Sequence, residues 1–165
     1  MIEAPVGLST LVIANARRYA TGKSLETDGP NDGPEIREWL AERGITTPAP
    51  YCAAGACAQI HEAARTMGLV LQLRYSAGAL RMLDLNPDLV LAEPEIGCLV
   101  IWDHGQGKGH LGIVTGVTRV AGELAAIQVI SFNTNAEGSR DADQCVERGF
   151  PFPQARRLAG YIRIA

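Results

Sequence analysis

The chain has 165 residues, of which 47% are hydrophobic and 20% are charged, and its formal net charge is −3. These values are typical of one globular domain with its own core, so we expect a single domain over residues 1–165. The Lys and Arg residues are scattered and form no basic stripe, which argues against a nucleic-acid partner. The mild acidity gives no reason to bind an anionic membrane, and no apolar run approaches the roughly 20 residues that span a bilayer.

The beginning of the chain shows no export signal. Met1-Ile2-Glu3-Ala4-Pro5 lacks a basic segment, and Leu11-Val12-Ile13 is too short for the apolar core of a signal peptide. We therefore expect synthesis in the cytoplasm without a signal peptide. The cysteines are too sparse for a disulfide scaffold, so we expect thiols at Cys52, Cys57, Cys98 and Cys145.

The first half of the chain has the apolar periodicity of helices, and the second half has that of strands. The predicted helices cover about residues 8–22, with Ser9 as a cap, and residues 34–44, 52–68 and 76–84. Short apolar runs between polar or Gly-rich turns predict strands at residues 99–102, 111–117, 127–130 and 161–164. Helices followed by antiparallel strands predict an α+β fold, with the N-terminal helices packed on an antiparallel sheet.

Cys52 is a candidate nucleophile because it opens the third predicted helix. A thiol at a helix N-terminus lies near the positive end of the helix dipole, which favours the thiolate. The unpaired backbone N–H groups of the first turn could also stabilise the oxyanion of a tetrahedral intermediate. The competing interpretation is a small, buried, apolar cysteine.

His110 is a candidate base because it begins a predicted strand between two glycines. Gly109 and Gly112 leave space beside the ring, as a substrate or a partner side chain would require. His104 in Asp103-His104-Gly105 better fits a surface histidine in a turn.

The third candidate follows from a predicted hairpin. If Ala121-Gly122 forms the turn, Asn133 lies opposite His110, and opposed side chains are ~4.5–5.5 Å apart at Cβ. An amide there could hold the imidazole in the correct tautomer. A shift of two residues would place Ser131 or Asn135 there instead.

Four motifs occur in order over about residues 29 to 164. They are Gly29-Pro30-Asn31-Asp32-Gly33-Pro34, Pro50-Tyr51-Cys52-Ala53-Ala54, Gly109-His110-Leu111-Gly112-Ile113-Val114, and Asn133-Thr134-Asn135 followed by Glu137-Gly138-Ser139. In these motifs the chain resembles the CHAP domains (cysteine, histidine-dependent amidohydrolase/peptidase), which are bacterial and phage relatives of papain.

The resemblance implies a papain-like fold with Cys52 as nucleophile at a helix N-terminus, His110 as base and Asn133 as the residue that orients it. It implies a cysteine peptidase or amidase that cuts peptidoglycan, either between N-acetylmuramic acid and L-Ala or within the stem peptide. No metal or organic cofactor is implied. The residues that we predict to contact the substrate are Tyr51, Gly109 and Trp102.

Three positions depart from the family pattern. Ser131 stands where many relatives have an acid, Phe132 stands in place of a glycine, and Cys98 replaces an Asp at the start of a strand. The missing acid motivates an alternative function, a weak or inactive member of the fold that only binds cell wall. Retention of all three candidate catalytic residues favours the enzyme.

Two metal sites can be considered, and neither has a complete ligand set. Cys57 and His61 stand four residues apart, but zinc usually takes four ligands with tighter cysteine spacing. The loop with Asp28, Asn31 and Asp32 matches one that holds calcium in some relatives, but it lacks the spacing of a calcium loop. We therefore predict a solvated turn and no metal.

The expected biological setting follows from the absence of an export signal and of a wall-binding module. A phage lysin, a virion-associated enzyme and a delivered antibacterial toxin all fit, and a housekeeping autolysin fits less well. Each would act on the cell wall after delivery or lysis. A delivered toxin would have an immunity or delivery protein as partner.

Overall fold

Helices precede strands in the structure, so the α+β class is confirmed. The computed structural model describes residues 3–136, 142–152 and 157–165. The helices are α1 (Leu8–Arg17), α2 (Pro34–Ala41), α3 (Cys52–Thr66) and α4 (Ala79–Leu85), and a 3-10 turn follows at Pro87–Leu89. The strands are β1 (Val90–Leu91), β2 (Leu99–Asp103), β3 (Gly109–Val120), β4 (Glu123–Thr134), β5 (Gln144–Pro151) and β6 (Leu158–Ile162). Within these described stretches, none of the helices has the length and apolar character needed to cross a membrane.

The helix boundaries follow from local chemistry, except at the ends of α1. Pro34 lies in the first turn of α2, where its missing N–H breaks no intrahelical bond. The cap predicted at Ser9 is wrong, because α1 begins after Gly7, which has a left-handed φ of 82°. Ser9 lies inside the helix and packs against Gly97, where a side chain would collide with it. The helix also ends at Arg17 rather than at Gly22.

The strands form one antiparallel sheet in the order β1-β6-β2-β3-β4-β5. The predicted hairpin between β3 and β4 is confirmed, with the turn at Ala121 and Gly122. Their φ angles of 52° and 88° are both positive, as a two-residue hairpin turn of type I′ requires. The pairs Ile113–Ile130 and Val114–Val129 have the register that was predicted from the turn.

Strands β1 and β5 are not predicted from the sequence. β1 has only two residues. β5 contains neighbouring charged residues and no continuous apolar run, because its side chains alternate between two different surroundings. Cys145 faces the helices, where its thiol lies 3.9 Å from the Ala16 carbonyl oxygen, and Glu147 pairs with Arg17 on the same side.

The helices cover one face of the sheet, and the other face has a separate apolar core. That second core includes Val100, Trp102, Val114, Val129 and Tyr161. The rings of Trp102 on β2 and Phe150 on β5 lie 5.0 Å apart, although β3 and β4 lie between those strands. A flat sheet would hold the two strands about 14 Å apart. The sheet therefore curls, and we call this second face, which bears Trp102 and Phe150, the concave face.

Helix α3 approaches strand β4 closely at Gly55 and Phe132. A Cβ on Gly55 would lie 2.7 Å from Cγ of Phe132, closer than carbon atoms pack. The Phe132 ring also contacts the rings of Trp39 and Tyr19, with centroids 5.2 and 5.9 Å away. The CHAP resemblance leads one to expect a glycine at position 132, and the missing side chain of Gly55 accommodates the aromatic ring found there.

We expect Gly55→Ala to lower the free energy of unfolding by about 1–3 kcal/mol, because the new methyl group overpacks against Phe132. Helix propensity alone favours Ala over Gly by about 1 kcal/mol. A loss of stability in Gly55→Ala would therefore indicate overpacking against Phe132. Denaturant unfolding would measure it. In the double variant with Phe132→Leu the cost should shrink, because the ring is gone. A Gly55→Ala protein at least as stable as wild type would contradict the close contact.

Candidate active site

Cys52 is the first residue of α3 and only 6% of its surface is exposed. Tyr51 is the N-cap residue and its side chain makes no capping bond, while its carbonyl accepts a bond from the Gly55 N–H at 2.8 Å. The N–H groups of the first helical turn have no acceptor within the helix. The thiol is therefore close to backbone donors and to the positive end of the helix dipole.

The other cysteines have different surroundings. All four cysteines lie in the described residues and are present as thiols. Burial raises the pKa of the Cys57 and Cys98 thiols to about 12, and it also raises the pKa of Cys145. Cys57, for example, lies inside the core with its sulfur 4.0 Å from that of Met82. Desolvation disfavours the thiolate, so these three side chains are poor nucleophiles at neutral pH.

We expect iodoacetamide at pH 7 to alkylate Cys52 well before the other cysteines. A thiol with a pKa of about 12, as at Cys57 and Cys98, leaves roughly one thiolate in 10⁵ molecules at this pH. Peptide mapping by mass spectrometry at several reaction times would give the order. In the matched control, Cys52→Ala, the fast phase should be absent. Labelling of Cys52 last would show that it is not the nucleophile.

His110, near the start of β3, lies on the concave face and is 7% exposed. Its partner on the neighbouring strand β2 is Trp102. The two rings are stacked, with centroids 6.0 Å apart and planes inclined by 30°. The indole thus limits the orientations of the imidazole, and its face can attract a positive charge on that ring.

The space beside each of the two glycines near His110 is filled by other side chains of the protein. A Cβ on Gly109 would lie 2.8 Å from Cγ of Leu80 on α4, and one on Gly112 would collide with Ser131 and Val129. The predicted space is therefore occupied by partner side chains. The predicted contact between Gly109 and substrate stays a prediction.

Asn133 lies near the end of β4 and is 1% exposed. The described β3–β4 pairing runs as far as Ile113–Ile130. A pairing of Asn133 with His110 continues that register by three residues and stays a prediction. Asn133 has a left-handed φ of 56°, and the β4–β5 pairing shifts between Ser131 and Thr134. This conformation costs most L-residues about 1–2 kcal/mol, and Asn tolerates it better than most. Such strain occurs often at functional sites.

Ser131, which stands at the position of the expected acid, is 5% exposed. Its hydroxyl lies beside Gly112, and in the described part of the chain it has no hydrogen-bond partner. The side chain therefore supplies no charge to the site.

The residues predicted to contact substrate differ in accessibility. Tyr51 is completely buried, lies 6.3 Å from the Trp39 ring and donates from its hydroxyl to the Ala142 carbonyl at 3.5 Å. In this conformation its side chain packs in the core beside the start of α3, and a contact with substrate stays a prediction. Trp102 exposes 8% of its surface.

His104 lies in the turn after β2, 3.1 Å from an Arg157 guanidinium nitrogen, as expected for a surface histidine.

Two residues that are not predicted from the sequence lie with Trp102 on the concave face. Phe150 contacts the Trp102 ring, and the Arg148 guanidinium carbon lies 4.4 Å from the centroid of Phe150. Both belong to β5. The alternation of Val146, Arg148 and Phe150 with Glu147 and Gly149 is the period-two signal that could have identified this strand.

The two candidate metal sites are occupied by other contacts. Arg37 lies 2.5 Å from Asp28 and 2.8 Å from Asp32, and its hydrogen bond lowers the pKa of Asp28. A guanidinium thus bridges the carboxylates that calcium would need. Cys57 is buried, whereas His61 is exposed and lies 3.4 Å from Glu42. Among the described residues, no group of three or more His, Cys, Asp or Glu side chains could hold a metal ion.

Comparison of the chain with protein-family models, with curated proteins and with solved structures finds no match. The CHAP resemblance therefore rests on the four sequence motifs. The end of the fourth motif, Glu137-Gly138-Ser139, lies outside the described residues.

Proposed function

We propose that the protein is a papain-like cysteine amidohydrolase or endopeptidase that cleaves amide bonds in the peptide part of peptidoglycan. The main support is the position of Cys52 at the start of α3, a helix that packs on β3 and β4. These two strands carry His110 and Asn133, and we propose that both reach the thiol around the end of the sheet, where β3 begins and β4 ends. The scissile bond would be the muramoyl-L-alanine amide or a bond within the stem peptide, reached after phage lysis or delivery into a rival cell.

In the proposed reaction, the Cys52 thiolate attacks the carbonyl carbon of the amide, and the N–H groups of the first α3 turn donate to the oxyanion. His110 holds the thiol proton and transfers it to the nitrogen of the leaving amine as the C–N bond breaks. Water, deprotonated by His110, then attacks the thioester on Cys52 and releases the acid product. Asn133 orients the imidazole, and the stacked Trp102 limits its rotation.

One observation favours the alternative, a non-catalytic module that binds cell wall. Ser131 lacks the charge of the expected acid, and its hydroxyl has no hydrogen-bond partner in the described stretches. If that acid were essential, His110 would be a weaker base without it. Papain-like enzymes work with Cys, His and Asn, so we prefer the enzyme.

We expect Cys52→Ala and His110→Ala each to abolish nearly all release of peptide fragments from purified sacculi. The double variant should be no worse than either single variant, because neither residue attacks productively without the other. Mass spectrometry of the soluble products measures release and identifies the bond that is cut.

Ser131→Ala is the matched control, and it should reduce the rate least, because it removes only a small neutral group. Thermal unfolding of all the variants should stay close to that of wild type. Wild-type protein that binds sacculi without releasing fragments, with Cys52→Ala binding equally well, would favour the binding module.

Substitutions at Asn133 separate the backbone role of this residue from its side-chain role. Asn133→Ala should lower both stability and the rate of cleavage, because Ala tolerates the left-handed conformation poorly, at a cost of about 1 kcal/mol. Asn133→Gly should keep the stability and still lose rate, because glycine adopts this φ freely but has no amide. Thermal melts and initial rates on sacculi provide the two measurements. Full activity of Asn133→Gly would show that the amide does not orient His110.

A further inference from the structure

Arg148 lies on the concave face of the sheet, the face that also carries His110. It pairs with Val129 of β4, a residue of the concave core. Its neighbour Glu147 points the other way, where it lies 2.8 Å from Arg17 and accepts a bond from Thr115 at 2.7 Å. Successive side chains of a strand point to opposite faces, so Arg148 projects toward the concave side.

An unbroken row of ring contacts connects Arg148 with His110. The guanidinium carbon lies 4.4 Å from the Phe150 centroid, the Phe150 ring lies 5.0 Å from Trp102, and Trp102 lies 6.0 Å from His110. The row crosses from β5 to β3 by way of β2, which the curl of the sheet makes possible. Arg148 and the candidate base His110 therefore lie at the two ends of one continuous row of aromatic contacts.

The charge of Arg148 has no counterion within the described residues. Its Nε atom is buried, and no described residue accepts a hydrogen bond from it. The ion pairs between described residues use other arginines, namely Arg17, Arg18, Arg37, Arg43, Arg81, Arg119 and Arg163. A partly buried cation without a partner is destabilising, and a bound anion would remove that cost. The flat guanidinium fits a carboxylate through two parallel hydrogen bonds.

We propose that Arg148 is the binding site for a free carboxylate of the peptide substrate. An extended peptide advances ~3.3–3.6 Å per residue, so this carboxylate belongs to a residue a few positions from the scissile bond. The proposal rests on the proposed function for the identity of the peptide, and it adds a preference. Stem peptides with free carboxylates should bind better than the same peptides with carboxamides.

The test uses the full chain with Cys52→Ala, so that ligands are bound and not cut. The two probes are a stem tripeptide with free carboxylates and the same tripeptide with every carboxylate converted to a carboxamide. Tryptophan fluorescence titration gives both dissociation constants, with Trp102 as the reporter beside the site. We expect the carboxylate form to bind about tenfold more tightly, which is the effect of one charge-assisted pair.

Two substitutions of Arg148 test its part, and one arginine elsewhere on the sheet is the control. Arg148→Gln and Arg148→Met, each in the Cys52→Ala chain, should reduce the preference to less than about twofold. The Met variant keeps an apolar stem against Phe150 if the Gln variant is unstable. Arg119→Gln removes an exposed arginine that pairs with Glu93 on the rim of the sheet, and it should leave the preference unchanged.

The outcomes separate this site from the hydrolase. Equal binding of the two probes, binding of neither, or a preference that survives in a folded Arg148 variant would each overturn the carboxylate site. If the wild-type chain still cuts sacculi in those cases, the proposed hydrolase is supported and the carboxylate site is not. A preference that depends on Arg148, in a wild-type chain that releases no fragments from sacculi, would support the carboxylate site and contradict the hydrolase.

Discussion

The contact between Gly55 and Phe132 holds the two parts of the candidate site together. Gly55 lies three residues after Cys52 on α3, and Phe132 lies one residue before Asn133 on β4. A side chain on Gly55 would push the helix away from the strand, because its Cβ would overlap the Phe132 ring. The position of the thiol relative to the amide therefore depends on the absence of one methyl group. The aromatic neighbours Tyr19 and Trp39 then pack around the same ring.

The two faces of the sheet have different chemistry, and the candidate site draws on both. The helix face is covered by apolar packing, and burial there raises the pKa of Cys57 and Cys145. The concave face mixes aromatic rings with polar groups, among them His110, Ser131 and Arg148. Because the sheet curls, residues of β2 and β5 contact each other across this face. The aromatic rings of this face pack against one another, and the Arg148 guanidinium lies at the β5 end of that row.

In the proposed enzyme, Ser131 stands where the CHAP resemblance leads one to expect an acid, and this changes how a charge on His110 would be stabilised. A carboxylate at that position would attract an imidazolium directly, whereas a buried hydroxyl offers only a dipole. In this protein the stacked face of Trp102 can supply part of that stabilisation, since a cation over an indole gains about 0.5–2 kcal/mol. To stabilise and orient His110, the proposed enzyme would thus depend more on the Trp102 ring and on Asn133 than an enzyme that has the acid.

The sequence by itself determined the α+β class, the starts of α2 and α3, and the β3–β4 hairpin, because each depends on a local pattern. Pro34 suits a first helical turn, and Gly122 suits the second position of a two-residue turn. The same local motifs identified the candidate catalytic residues. Only the tertiary structure decided which side chains fill the space beside them, because those contacts join residues far apart in the chain. The contacts concerned are Leu80 against Gly109, Ser131 against Gly112, Tyr51 in the core, and Arg148 beside Phe150 and Trp102.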